Sequence, residues 1–234
     1  MRVHRVRLEE LGAGRRRVPV DAAHHLARVL RVRVGARVLA FDGAGHEAAG
    51  QVTAVDGDEV WLELDAPRAA GDGPQPALTL APALLKGDKL ADVVRMGTEL
   101  GVAAFRPVVA RRCEVRGLGP AKQARLARIA GEAARQSGRA WVPRVHPPVL
   151  LDALPWEAAA VVADPGASLA WNEAPELAAP ALTVISGPEG GLTLEEVAAV
   201  AARGARPVRL GGRILRAETA PVAMAAAWVL AVAS

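Results

Sequence analysis

Two stretches near the end of the chain hold the residues best suited to chemistry. They are Ser186-Gly187-Pro188-Glu189-Gly190-Gly191 and Gly211-Gly212-Arg213-Ile214-Leu215-Arg216-Ala217-Glu218-Thr219-Ala220. Glycine has no side chain, so backbone N–H and C=O groups at such positions can come close to a ligand and hold its edges. Each stretch follows a short apolar run, Leu182-Thr183-Val184-Ile185 or Pro207-Val208-Arg209-Leu210, and each leads into a helical pattern. Thr193 and Glu196 have the spacing of a capping box, and Pro221 falls in the first turn of the last helix, where its missing N–H costs little. Strand, loop and helix, twice over, put both loops at the carboxyl ends of neighbouring strands, where open α/β sheets bind ligands. Neither loop has the phosphate-binding patterns G-x-x-x-x-G-K-[ST] or G-x-G-x-x-G. Gly-Pro-Glu-Gly-Gly alone fits a tight turn as well as a binding loop; the pair of loops is more specific.

The elements that must position these loops follow from periodicity. Residues 1 to about 70 read as short strands with glycine turns, a pattern that suggests a small barrel. Arg2–Leu8 alternates polar and apolar residues, Arg37–Phe41 runs into the turn Asp42-Gly43-Ala44-Gly45, and Gly50–Val55 with Glu59–Leu64 flank Asp56-Gly57-Asp58 as a hairpin. A short helix is predicted over Asp21–Leu30 with Asp21 as its N-cap. Ala66–Pro76, rich in proline and glycine, reads as a linker, giving domains 1–70 and 71–234. Beyond it, strands Ala77–Ala81, Val102–Val109 and Ala158–Ala163 alternate with helices Asp88–Leu100 and Pro120–Ser137, with Gly101 and Gly138 placed to close the helices. This is an α/β fold with a parallel sheet.

Composition narrows the function classes. The 234 residues are 51% hydrophobic and 23% charged, with a net charge of +4, values of a globular chain. Arginine supplies most of the cations, and its planar fork suits phosphates and stacked bases. A basic balance points toward RNA, although a biased genome composition produces the same excess. The one cysteine, Cys113, allows no internal disulfide and no cysteine metal cluster, which fits a reducing compartment. His24 and His25 lack acidic or cysteine ligands at metal-binding spacing, so no metal is expected. No secretory signal is evident at Met1–Arg5. The apolar run Pro221–Ala233 is shorter than the roughly 20 residues of a bilayer span; it reads as a helix buried on all sides in a core or subunit interface.

With these motifs in place, the chain resembles the SPOUT superfamily of S-adenosylmethionine-dependent RNA methyltransferases, and within it the RsmE family. The resemblance is carried by Ile185–Gly191 and Leu210–Ala220, by Lys86-Gly87-Asp88-Lys89 through Gly101, by Glu132–Arg139, and by Asp21–Arg31 followed by Phe41–Gly45. It spans essentially the whole chain. Leu192 stands where the family often has Phe, and Gly211-Gly212 where it often has a single glycine.

The resemblance implies a C-terminal parallel-sheet SPOUT domain with a trefoil knot, a PUA-like β-barrel at the N-terminus, and S-adenosylmethionine as cofactor. It implies methylation of N3 of one uridine in small-subunit (16S) ribosomal RNA. The implied partners are that RNA or the small ribosomal subunit and a second copy of the chain, in the cytoplasm, with no membrane and no metal. The expected cofactor-binding residues are Ile185, Ser186, Gly187, Pro188, Gly190, Gly191, Leu210, Gly211, Ile214, Leu215, Arg216, Thr219 and Ala220. Uracil N3 must lose a proton, so Glu189 is a candidate base and Arg216 a candidate for stabilising the anion at O2 or O4; a bracing role and a salt bridge, respectively, are their alternatives. Arg28, Arg31, Lys86, Arg135, Gln136 and Arg139 are candidate RNA contacts, or solvated helix faces. Methylation of a different nucleotide and an inactive RNA-binding assembly protein are the competing functions.

Overall fold

The computed structural model describes residues 3–71, 73 and 77–232. Arg2 of the expected first strand, Asp72 and Pro74–Pro76 of the expected linker, and Ala233 of the last helix lie outside the described residues. The chain divides into two units, Met1–Gly73 with Ala134–Val142, and Pro74–Ala133 with Pro143–Ser234.

The first unit is a mixed sheet of β1 (His4–Arg7), β2 (Gly14–Arg17), β3 (Arg37–Phe41), β4 (His46–Asp56), β5 (Glu59–Leu64) and β6 (Arg68–Ala69). The strands pair in the order β1-β3-β4-β5-β2, and β6 pairs with β4 inside the stretch expected to be linker. Strand alternation builds its core: Val60, Leu62 and Leu64 of β5 point inward with Val6, Val38, Val52 and Leu26, and Glu59 and Glu63 point out. Sequence patterning misses β2, because Gly14-Arg15-Arg16-Arg17 has no apolar alternation. Its pairing with β5 is supported by the Arg15 guanidinium, 4.6 Å over the Trp61 ring. The helix α1 (Val20–His24) starts earlier than expected, with Pro19 and not Asp21 at the N-cap. Ala23 N–H already donates to Pro19 O at 2.8 Å, and Asp21 sits in the first turn, where the helix dipole favours it. The segment continues as a π turn over His25–Val29.

The second unit holds β7 (Ala77–Pro82), α2 (Lys89–Glu99), β8 (Ala104–Phe105), β9 (Val108–Val109) and the first part of α3 (Pro120–Ser137). After β10 (Arg144–Val145) and β11 (Val149–Leu150) come β12 (Ala159–Ala163), β13 (Ala181–Ser186), α4 (Leu194–Ala202), β14 (Ala205–Val208) and α5 (Thr219–Val232). The main sheet runs β10-β8-β7-β13-β12-β14, and its pairings are all parallel. Its central strands are continuous apolar runs, as a sheet covered on both faces requires. The single strand expected over Val102–Val109 is two, because Pro107 has no N–H for the ladder; β9 pairs instead with β11.

One further expectation changes. The strands carrying the glycine loops are not neighbours, since β12 lies between β13 and β14. Chain order does not dictate sheet order here: α4 packs across β12 and β14 and carries the chain past β12 to the far side. Of the two settings expected for the last helix, a core or a subunit interface, its own chain supplies only part of the first. Pro221, Met224, Ala225 and Trp228, spaced for one helical face, are buried, whereas Leu230 is 70% exposed.

Candidate active site

The carboxyl ends of β13, β12 and β14 open into a cavity of about 560 Å³. The loop after β13 is held at both ends. Gly191 N–H donates to Pro188 O at 2.8 Å, closing the turn, and Gly191 takes φ +69°, a left-handed conformation that glycine allows. The capping box is present: Glu196 N–H donates to Thr193 Oγ1 at 3.2 Å and Thr193 N–H to Glu196 Oε2 at 2.9 Å. Glu196 Oε1 also accepts from Arg111 N–H at 2.7 Å. Arg112 Nη1 donates to Gly190 O at 2.8 Å. A Cβ on Gly190 would meet the Arg112 side chain at 3.3 Å, so the missing side chain leaves room for that arginine.

The loop after β14 begins two residues earlier than sequence suggests, because the strand ends at Val208. Gly211 has φ +68° and its missing Cβ faces open space, so glycine is needed here for backbone geometry rather than for room. Ile214 is 85% exposed. The loop ends where Arg216 O accepts from Thr219 and Ala220 N–H, at 2.9 and 3.0 Å, to start α5.

Of the expected cofactor residues, Ser186, Gly187, Pro188, Gly190, Gly191, Leu210, Gly211, Ile214, Leu215, Arg216 and Ala220 line this cavity, as does Glu189. Ile185 is fully buried beneath it, and it and Thr219 do not line it. Among the lining residues that sequence reasoning did not assign to the site are Asp164 and Pro165, at the end of β12, and Lys89, at the start of α2. Asp164 was hidden because β12 was not expected between the loop-bearing strands. Its carboxylate accepts from Gly166 N–H at 3.0 Å.

Lys89 reorganises the charges. Its ammonium donates to Glu189 Oε1 at 2.8 Å and lies 3.8 Å from Glu218 Oε2. Glu189 Oε1 also accepts from Lys86 N–H at 3.2 Å. Burial pushes the Glu189 carboxyl up, but the hydrogen bonds from Lys89, its own backbone N–H and Lys86 N–H prevail and hold it below the ordinary 4.5. The Arg216 guanidinium makes no hydrogen bond or ion pair among the described residues. Lys89 takes the place of Arg216 in the salt bridges that the sequence offered to it.

The cavity fits S-adenosylmethionine by its donor set. Its size is within the range of small-molecule sites, about 300–1,000 Å³. Leu210, Leu215 and Met224 supply apolar walls and the glycine loops supply backbone polar groups. Ser186 Oγ is buried without a hydrogen-bond partner among the described residues, and a buried polar atom in that state calls for a ligand or water. The carboxylate of Asp164, on the cavity lining, suits a ligand that carries a sulfonium and an ammonium.

The RNA candidates divide differently. Arg28, Arg31, Arg135, Gln136 and Arg139 belong to the first unit, Lys86 to the second. Arg28 Nε donates to Asp58 Oδ1 at 2.7 Å. Arg31, exposed, has φ +51°. Arg135 Nη1 lies 3.4 Å from His25 Nε2, Gln136 is exposed and Arg139 half-buried, and Lys86 Nζ pairs with Glu114 at 2.7 Å.

The RNA methyltransferase domain model matches residues 73–229, and the RNA methyltransferase PUA domain model matches residues 18–65. The ribosomal RNA small subunit methyltransferase E of Bacillus subtilis is 34% identical over 86% of this chain and 84% of its own length. The chain belongs to the ribosomal RNA small subunit methyltransferase E family. The Synechocystis member is 35% identical over 85% of this chain and 67% of its own length. Among solved structures, the Neisseria gonorrhoeae member bound to S-adenosyl methionine is 32% identical, with a TM-score of 0.87 over 97% of this chain and 96% of that one. A Legionella pneumophila methyltransferase in complex with the same cofactor is 28% identical, with a TM-score of 0.88 over 99% and 98%. The chain is thus an RNA methyltransferase with an α/β parallel-sheet domain and a PUA domain. Among its described residues no helix is long and apolar enough to cross a membrane.

Proposed function

We propose that the protein transfers the methyl group of S-adenosylmethionine to N3 of a uridine in small-subunit (16S) ribosomal RNA. The observation that carries this reading is the cavity formed by the two glycine loops, with Arg216, unpaired among the described residues, on its lining. The bound cofactor supplies an electrophilic methyl group; the protein supplies position and charge. The backbone groups of Gly187, Gly191 and Gly211 would hold the polar edges of the cofactor, against walls made by Leu210, Ile214 and Leu215. Ser186 Oγ and the Asp164 carboxylate are available to its donors.

Arg216 is free to meet O2 or O4 of uracil, where negative charge gathers as the N3 proton leaves. Glu189 is better suited to bracing than to proton abstraction, because a carboxylate held below its ordinary pKa is a weaker base. The base then comes from elsewhere, and solvent serves where N3 deprotonates ahead of attack. This makes single-turnover transfer rise with pH through the neutral range.

The reading also includes a PUA-like barrel that holds RNA through Arg28, Arg31, Arg135, Gln136 and Arg139, with Lys86 contributing beside the cofactor loop. It includes a trefoil knot where the chain threads into α5, domains meeting near residue 70, and a cytoplasmic location with the ribosome. A two-fold dimer would cover the exposed side of α5, where Leu230 is 70% exposed. Light scattering that gives a monomer mass at micromolar concentration overturns the dimer. The central test is methyl transfer from labelled S-adenosylmethionine to small-subunit RNA, followed by mapping of the modified base. Transfer to N3 of a single uridine is expected. Transfer to another nucleotide, or cofactor binding without transfer, overturns the reading.

A further inference from the structure

Lys89 is the first residue of α2, a place where the helix dipole disfavours a cation. The chain is also sparing with lysine: Lys86, Lys89 and Lys122 are its only three among 29 lysines and arginines. A local rule broken without local gain points to a tertiary role. The Lys89 ammonium lies 2.8 Å from Glu189 Oε1 on the first glycine loop and 3.8 Å from Glu218 Oε2 on the second. One compact cation thus joins three segments of the second unit at the cavity wall. The Glu189, Glu218 and Lys89 side chains are 31%, 19% and 34% exposed, so these pairs are partly shielded from water.

We propose that Lys89 is a positioning residue of the methyl-transfer site: it ties the two cofactor loops together and, by occupying both carboxylates, keeps the Arg216 guanidinium free for the substrate. Without Lys89, two neighbouring carboxylates would face the cavity with no cation between them. Arg216 belongs to the same loop as Glu218 and carries charge close enough to oppose the protonated form of Lys89. A guanidinium that pairs with Glu189 or Glu218 is lost to the uracil oxygens. This second role rests on the assignment of Arg216 made above; the loop-tying role does not.

The experiment uses the whole protein. Calorimetry with S-adenosylmethionine reads the loop tie, and single-turnover methyl transfer to small-subunit RNA at saturating cofactor reads the availability of Arg216. Lys89→Met is expected to weaken cofactor binding about tenfold and to slow transfer by at least as much. Lys89→Gln serves the same purpose if the methionine variant does not fold. Lys89→Arg should restore most of the affinity. Adding Glu189→Gln to Lys89→Met should recover part of the transfer rate, because it removes the carboxylate that captures Arg216; adding Glu189→Gln to Lys89→Met,Arg216→Ala should recover nothing, whereas a gain that came only from a repaired fold would appear there too. Unchanged affinity in Lys89→Met overturns the loop tie. A double variant no faster than Lys89→Met overturns the guarding of Arg216. If Arg216→Ala itself transfers at the wild-type rate, the assignment of Arg216 fails, and the affinity arm still decides whether Lys89 ties the loops.

Discussion

The two glycine loops border one cavity but are built to opposite standards. The loop after β13 is fastened along its length: Glu189 to Lys86 and Lys89, Gly190 to Arg112, Gly191 to Pro188, and its exit by Thr193 and Glu196. The loop after β14 is fastened near its ends. Arg209 donates to the carbonyls of Ala167 and Ser168, and Arg216 O starts α5. Between them Gly211, Gly212, Arg213 and Ile214 are exposed. A ligand that needs fixed backbone donors gains from the first arrangement. A site that must admit a bulky RNA base, then close on it, gains from the second. Segments with few buried contacts open at low cost, and the residue proposed to meet the substrate, Arg216, is on the looser loop.

The largest effect should come from the looser loop. Arg216→Ala should leave cofactor affinity nearly unchanged in calorimetry and lower single-turnover transfer on the order of a hundredfold or more. Arg216→Lys should recover only part of the loss, since lysine lacks the fork that can span two acceptors. Wild-type transfer by Arg216→Ala would remove the functional half of the comparison.

The tight loop should fail in affinity instead. Gly190→Val drives a branched side chain into Arg112, and cofactor affinity should fall about tenfold, roughly 1.4 kcal/mol. Unchanged affinity in a folded variant would mean that the fastening by Arg112 has no bearing on the ligand. Acid should loosen the same loop. The folded-state pKa of Glu189 lies below 4.5, so its brace is complete above that value and fades as pH falls through the lower one. Glu189→Gln should bind cofactor more weakly than wild type near neutrality and lose the acid-dependent step that wild type shows in calorimetry.

Smaller effects concern stability. Thr193→Ala removes the helix cap and should cost about 1 kcal/mol in denaturant unfolding. Ile214→Ser, at the exposed tip of the other loop, should change unfolding by less than about 0.5 kcal/mol. A larger cost at Ile214 than at Thr193 would reverse the ranking of the two loops.

Much of the site was legible before the fold was known, and the reasons are local. The capping box at Thr193 and Glu196, the helix Pro120–Ser137 between its proline and Gly138, and the strand Arg37–Phe41 before its glycine turn all occur as patterned. Each depends on residues within a few positions of one another, and such signals survive in a one-dimensional string. What was missed depends on distant partners. The basic strand β2 has no pattern of its own and is held by β5 and Trp61. The strand expected over Val102–Val109 splits because its second half finds β11.

The sequence by itself determined where the two loops lie to within two residues, why glycines occupy them, and which helices start behind them, because dihedral preference, capping and apolar periodicity act over short spans. Only the tertiary structure decided the order β13-β12-β14, and with it the entry of Asp164 into the site. It alone decided that Glu189 would meet Lys89, about 100 residues away in the chain, and that Glu218 would pair with that lysine rather than with Arg216, two positions before it. Sequence spacing shows which charges can be neighbours along the chain. Which of them pair is settled by the sheet that carries one loop past another and brings the first turn of α2 against both.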